Sequence, residues 1–231
     1  MHLSKYPASS SPLSVSGITH AYRSGSKQTV VLKEVSFEVS NGEFAVIIGP
    51  SGCGKSTLLS LVSGLRSIQY GSIRLNNMEL KGASVEQLQS YRQKIGIIFQ
   101  SHKLFPFLNA AENVLIGSGA SGHSRGLTDE KKVEELLSSV GLVGHSSKFP
   151  SQLSGGQCQR VSIARAIANT PTMIVADEPT ASLDFKSSQS LVNLLIELID
   201  YRNIPLLMAT HDSRIIEMAD KVIQLDDGIV S

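Results

Sequence analysis

The sequence has little of several things, and each shortage excludes something. Of its 231 residues only two are cysteine, Cys53 and Cys158. Two thiols cannot build the disulfide framework of a small secreted domain, so a reducing compartment is the expectation. Charged residues make up 18% of the chain, below the globular average of about 25%. The 21 basic and 20 acidic side chains nearly cancel, leaving a formal charge of +1. Such a balance argues against a dedicated module for nucleic acid or for an anionic membrane surface, both of which need concentrated basic charge. No apolar run approaches the roughly 18 residues needed to span a bilayer. The Ser- and Pro-rich start, Met1 to Ser14, lacks the apolar stretch of a secretory leader. No internal repeat is visible. What is present, 41% hydrophobic residues and 19 glycines, suffices for a substantial core in one large domain or a core with an inserted subdomain.

Leu13 to Tyr22 and Leu32 to Val39 read as strands, with a Gly/Ser turn over Arg23 to Lys27. Asn41-Gly42 is a hairpin-type turn signal before Phe44-Ala45-Val46-Ile47-Ile48. That run has no polar alternation, the pattern of a central strand covered on both faces. A Gly-rich loop and a helix over about Lys55 to Gly64 follow it. Further strand-like runs lie at Ile95 to Phe99, Met173 to Ala176, Pro205 to Ala209 and Lys221 to Leu225. Helix-like stretches fall at Thr128 to Val140, Gly156 to Ala168 and Lys186 to Asp200. The alternation predicts an α/β fold with a mostly parallel sheet and flanking helices. Residues 1–12 read as a flexible tail and 13–231 as one domain. Within that domain about 101–155, including the loop Gly117 to Gly122, breaks the rhythm as a mostly helical insertion.

Three strings carry chemistry. Gly49-Pro50-Ser51-Gly52-Cys53-Gly54-Lys55-Ser56, followed by Thr57, fits G-x-x-x-x-G-K-[ST] between an apolar strand and a helix. Glycines there let backbone N–H groups turn inward around phosphate oxygens at a helix N-terminus. Lys55 adds charge for the terminal phosphates, and the Ser56 hydroxyl can ligate Mg²⁺. The bland alternative is a glycine-rich strand-to-helix turn with no ligand. Second, Met173 to Ala176 leads into Asp177-Glu178-Pro179. Ligands of parallel sheets sit beyond the carboxyl ends of strands, so Asp177 is a Mg²⁺ ligand candidate and Glu178 a base for an attacking water. Alternatively, Asp-Glu-Pro caps the next helix. Third, Leu153-Ser154-Gly155-Gly156-Gln157 opens a helix with Ser154 as N-cap and two glycines baring the first turn, a second anion site. A plain capped helix explains Ser154 and one glycine, less readily the whole string.

The Leu-Ser-Gly-Gly-Gln string resembles the signature of ATP-binding cassette (ABC) ATPases, and the family's other motifs appear in order around it. Gln100, after Ile97-Ile98-Phe99, looks like the Q-loop glutamine. Ala181-Ser182-Leu183-Asp184 looks like the D-loop, and Thr210-His211-Asp212 carries the switch histidine. Tyr22 stands where that family stacks an aromatic on adenine, although a partly exposed strand tyrosine is also commonplace. The resemblance covers nearly the whole chain from Leu13. It implies a P-loop NTPase core with an N-terminal antiparallel β subdomain and an inserted helical one. It also implies a head-to-tail homodimer enclosing two Mg-ATP. There Lys55, Ser56 and Asp177 of one copy face Ser154, Gly155 and Gly156 of the other, with Glu178 as catalytic base and His211 on the γ-phosphate. Gln100 would sense the metal and water and link the core to the insertion, and Gln157 would count among the nucleotide-binding residues of the signature. The remaining histidines, His2, His20, His102, His123 and His145, lack metal-ligand spacing. Cys158 stands where many relatives carry Arg, Lys or Gln. Cys53, inside the phosphate loop, is expected to be alkylated readily without nucleotide and protected by Mg-ATP.

Without a membrane span, a pore would be a separate transmembrane permease, and the chain would sit in the cytoplasm, peripheral on the inner face of the membrane. Phe105, Phe107 and Leu108 beside Gln100 either form a docking groove for a permease helix or fill the insertion's own core. Val31 to Phe37, Ser63 to Ser67 and the Phe-Gln-x-His-x-Leu loop look most like the lipoprotein-release, macrolide-export and glycolipid-export ATPases. They imply an exporter of lipid-like or hydrophobic cargo, with importers and non-transporting signalling or cell-division ATPases as alternatives. A DNA-repair head fits poorly, because no long coiled coil separates Thr57 from Gln152.

Overall fold

The computed structural model describes residues 12–118, 127–181 and 183–231, with the side chains of 127–129 left aside. Residues 1–11 of the expected tail, most of the Gly117–Gly122 loop, and Ser182 of the D-loop lie outside the described residues. The chain divides into two compact units, Met1–Arg92 with Leu198–Ser231, and Gln93–Glu197.

In the first unit, β1 (Leu13–Ser24) and β2 (Lys27–Val39) form an antiparallel pair whose buried residues alternate with exposed ones, as a one-faced sheet requires. β4 (Tyr70–Leu75) adds to the other edge of β1, and β5 (Met78–Glu79) to β4. Neither was legible as a strand, because Tyr70 to Leu75 has little apolar alternation and β5 is two residues long. Gly71 allows the join: a Cβ there would meet the Gly17 carbonyl oxygen at 2.5 Å.

β3 (Phe44–Ile48) is buried over four of its five residues and pairs in parallel with β8 (Leu206–Ala209) and β9 (Lys221–Asp226). β10 (Ile229–Val230) closes antiparallel on β9. The Asn41-Gly42 turn is therefore not a hairpin: it carries the chain from the antiparallel sheet to the parallel one. Lys33 joins the sheets, donating its N–H to Gly228 O at 2.7 Å and its ammonium to Asp227 at 2.6 Å. α1 (Lys55–Val62) buries Leu58, Leu59, Leu61 and Val62. α2 (Val85–Gln93) buries only Tyr91, whose hydroxyl donates to Val62 O at 2.6 Å. The short α7 (Ser213–Ile216) starts on Asp212, whose carboxylate accepts from the N–H and guanidinium of Arg214.

In the second unit, β6 (Ile95–Ile98) and β7 (Met173–Asp177) run parallel. α3 (Ala110–Gly117), α4 (Leu127–Ser139), a 3-10 turn (Pro150–Gln152), α5 (Gly155–Ile167) and the greater part of α6 (Phe185–Arg202) complete it. α3 carries a capping box from Asn109 and Glu112, a start signal that sequence reading passed over. Among the described residues no helix is long and apolar enough to cross a membrane.

Candidate nucleotide site

The phosphate-loop string leaves β3 and turns sharply into α1. Gly49, Gly52 and Gly54 have φ of +151°, +82° and +111°. Gly49 is fixed by space as well as torsion, since a Cβ would lie 2.0 Å from Leu225 O. α1 begins at Gly54 with no side-chain cap, whereas α3 and α5 are both boxed. No side chain therefore caps its first N–H groups, as an anion nest needs. Lys55 folds over this loop, donating from Nζ to Gly49 O at 2.6 Å and Pro50 O at 2.9 Å. Ser56 is exposed at the helix start. Cys53 is buried at 6% exposure, with Lys55 Nζ 3.9 Å from its sulfur. The expected ready alkylation does not fit that burial.

Register decides what stands beside the loop. Ile47 pairs with Ala209, and the Thr210 N–H donates to Ile47 O at 3.3 Å. His211 and Gly49 therefore leave adjacent parallel strands side by side at their carboxyl ends, where ligands of such sheets bind. His211 is exposed. Tyr22, on β1, joins the same loop through its hydroxyl, 3.1 Å from Thr57 Oγ1.

The second unit repeats the arrangement. Ile98 pairs with Ala176, so exposed Gln100 and the half-buried Asp177 and Glu178 leave β6 and β7 at the same end. Glu178 holds φ of +44°, a left-handed conformation that non-glycine residues adopt rarely. The pair does not cap α6. Asp184 does, its carboxylate accepting from the N–H and hydroxyl of Ser187 at 3.0 and 2.7 Å, and these bonds hold the Asp184 carboxyl below its usual range. At α5, Ser154 Oγ accepts from Gln157 N–H and Gln157 Oε1 accepts from Ser154 N–H. A Cβ on Gly155 would meet nothing within 4 Å, so local packing within the chain does not demand glycine there.

The sequence profile of the ABC transporter family matches residues 32–181. The chain belongs to that family. A Mycobacterium tuberculosis ABC transporter ATP-binding protein is 40% identical over 92% of this chain, which spans 64% of that relative's length. A Staphylococcus saprophyticus protein provisionally named hemin import ATP-binding protein HrtA is 40% identical over 95% of this chain and 98% of its own. Among solved structures, the dimeric ATP-binding cassette MJ0796 in a post-hydrolysis state with ADP and Pi matches with a TM-score of 0.86 and 34% identity. It covers 95% of this chain and 96% of its own. The α/β fold with parallel and antiparallel sheets is thus that of ABC cassettes.

Several residues of this ABC chain that position the motifs escaped the sequence reading, because each is an ordinary polar residue that acts through backbone groups or through a partner distant in sequence. Buried Gln159 donates to Phe99 O at 3.1 Å, next to Gln100. Arg165 donates to His102 O and Lys103 O at 2.8 and 2.7 Å, and its burial lowers its basicity. Asn113, fully buried, accepts from Phe105 N–H and donates to Phe105 O, Leu108 O and Asn109 O. That frame leaves Phe105 and Phe107 exposed at 41% and 71%, their rings 5.8 Å apart, so these two do not fill a core. His145 Nε2 lies 3.2 Å from the Gln157 side-chain amide.

Proposed function

We propose that this chain is the ATP-hydrolysing subunit of an ABC transporter, closing on a second copy around two Mg-ATP and driving a separate transmembrane permease. The observation carrying this reading is the pairing of strand ends: Gly49 beside His211 in one unit, Gln100 beside Asp177 and Glu178 in the other. The loop from Gly49 to Thr57 takes the phosphates on its N–H groups. Lys55 exchanges its carbonyl partners Gly49 and Pro50 for the terminal phosphates, and Tyr22 stacks on the base.

The donor set fits Mg²⁺ carried in by nucleotide. Among the described residues no cluster of three His, Cys, Asp or Glu could cage a metal, and Mg²⁺ bound through phosphates needs only one or two protein oxygens and its waters. Ser56, Asp177 and Gln100 would supply them. Bound there, the ion offsets phosphate charge. Glu178 accepts the proton of the attacking water, and His211 holds that water and the γ-phosphate. Ser154, Gly155, Gly156 and Gln157 of the second copy would complete the γ-phosphate site. The open space over Gly155 supports that role.

Phe105 and Phe107, held out by Asn113, serve as the docking surface for a permease on the cytoplasmic face of the membrane. The cargo is lipid-like or hydrophobic and leaves the cell. The provisional hemin import name of the Staphylococcus saprophyticus relative suits a hydrophobic cargo but favours the opposite direction. Transport assays in vesicles holding the chain with its co-purifying membrane subunit distinguish the two.

The central test is Glu178→Gln. The variant is expected to bind ATP, to lose nearly all hydrolysis and to accumulate an ATP-bound dimer on gel filtration. Undiminished turnover would overturn the assignment of the base. For the cradle, Lys55→Ala is expected to weaken nucleotide binding, and unchanged affinity by titration calorimetry would count against it.

A further inference from the structure

Tyr22 meets three side chains within its unit, and a fourth holds its neighbour. Its hydroxyl meets Thr57, and the ring of His20 stands 5.2 Å away and nearly perpendicular to it. Gln69 clamps the preceding residue, taking the Ala21 N–H at 2.8 Å and donating to Ala21 O at 2.9 Å, as a paired strand would. The guanidinium of Arg66 sits over the ring, 4.8 Å from its centroid. With Arg66 over the ring, Tyr22 is still 38% exposed.

We infer that Arg66 is a specificity-determining residue of the nucleotide site, backing Tyr22 so that a purine on the opposite face completes a three-layer stack of guanidinium, phenol and base. The inference rests on the proposed stacking role of Tyr22. The guanidinium is planar and weakly hydrated, and it lies flat on aromatic faces where an ammonium does not. Placed over the ring, it limits Tyr22 to one orientation and draws on the ring's electrons, which favours an electron-rich base on the other side. His20 adds no competing charge. Its burial, and then the proximity of Arg66, hold its imidazole below its ordinary basicity, so Arg66 is the cation that acts on the ring. Thr57 ties this platform to the phosphate loop, so base and phosphates are sensed by one connected set of residues.

The test separates base binding from phosphate binding by titrating ATP and inorganic tripolyphosphate against the full chain. Arg66→Ala is expected to weaken ATP about two- to fivefold, the range of an exposed cation–π contact, and to leave tripolyphosphate unchanged. Arg66→Lys is expected to resemble Arg66→Ala. In a Tyr22→Ala background, Arg66→Ala is expected to have no further effect. Tighter ATP binding by Arg66→Ala would make Arg66 a competitor of the base, and equal weakening of both ligands would make it a phosphate contact. Additive losses would uncouple it from Tyr22. Each of these three results overturns the inference. A Tyr22→Ala chain that binds ATP like the wild type would instead overturn the stacking role of Tyr22, and the inference with it.

Discussion

Gln159, in the second turn of α5, donates its side-chain amide to the carbonyl oxygen of Phe99, one residue before Gln100, at 3.1 Å and 1% exposure. The helix that begins with Ser154-Gly155-Gly156 is thus bonded to the strand end that presents Gln100. Arg165, further along α5, bonds the carbonyls of His102 and Lys103. Replacing Gln159 by Leu leaves the Phe99 carbonyl without that donor, which costs about 1–3 kcal/mol. Urea unfolding is expected to show that loss. Because the released segment holds Gln100, kcat for ATP is expected to fall more than apparent ATP affinity. A variant as stable and active as the wild type would exclude the link.

Asn113 organises the segment before it by bonding four backbone groups of residues 105–109. Leucine there would bury a carbonyl cage without donors. Asn113→Leu is therefore expected to lose about 2–4 kcal/mol, several times a single neutral hydrogen bond. Phe107→Ala, by contrast, removes an exposed ring and is expected to change stability by less than about 0.5 kcal/mol. It should nevertheless weaken co-purification of a membrane subunit. Thermal melts and pull-down of the two variants check both statements.

Much of this was legible because the motifs sit on strands whose apolar runs are continuous. Phe44 to Ile48 and Met173 to Ala176 are buried strands that end at their predicted motifs, and Lys55 begins its helix as expected. Ser154 proved to be an N-cap with Gln157 closing the box. Less legible were elements with weak periodicity: Tyr70 to Leu75, whose strand character depends on β1, and the polar α2, which one buried Tyr91 anchors. Asn41-Gly42 misled because a turn dipeptide specifies local geometry and leaves open which strands pair beyond it. Arg66, Asn113 and Gln159 act through partners tens of residues away or through backbone carbonyls, and no local pattern announces such a contact.

Acid stability depends on two histidines. His20 is 3% exposed, and its Nδ1, like that of His102, has no hydrogen-bond partner among the described residues. Burial lowers the basicity of both rings, assisted by Arg66 at His20 and by Arg165 at His102. Above the ordinary imidazole value of about 6.5, folded and unfolded chains both hold these rings neutral, and no stability depends on them. As pH falls below it, the unfolded chain binds protons that the folded chain refuses, so stability drops until the folded-state values are passed. Each pKa unit of lowering is worth about 1.4 kcal/mol. Urea titrations between pH 7.5 and about 5 are expected to show this decline, and His20→Gln with His102→Gln to flatten it. An unchanged slope in the double variant would refute the assignment.

Cys53 sits in the phosphate loop yet is only 6% exposed, packed against Gly49 with Lys55 Nζ 3.9 Å from its sulfur. Cys158 is 4% exposed, its thiol directed at Pro150 O at 3.5 Å, and burial raises its pKa. Reagents attack the thiolate and need access to it, so both sulfurs are shielded in the folded chain. Labelling by a small maleimide at neutral pH is expected to be far slower than for the urea-unfolded chain, and to stay slow when nucleotide is withheld. Mg-ATP would then confer little additional protection. Rapid modification of Cys53 in the nucleotide-free chain, abolished by Mg-ATP, would mean that the loop opens readily and that its burial is not the resting state.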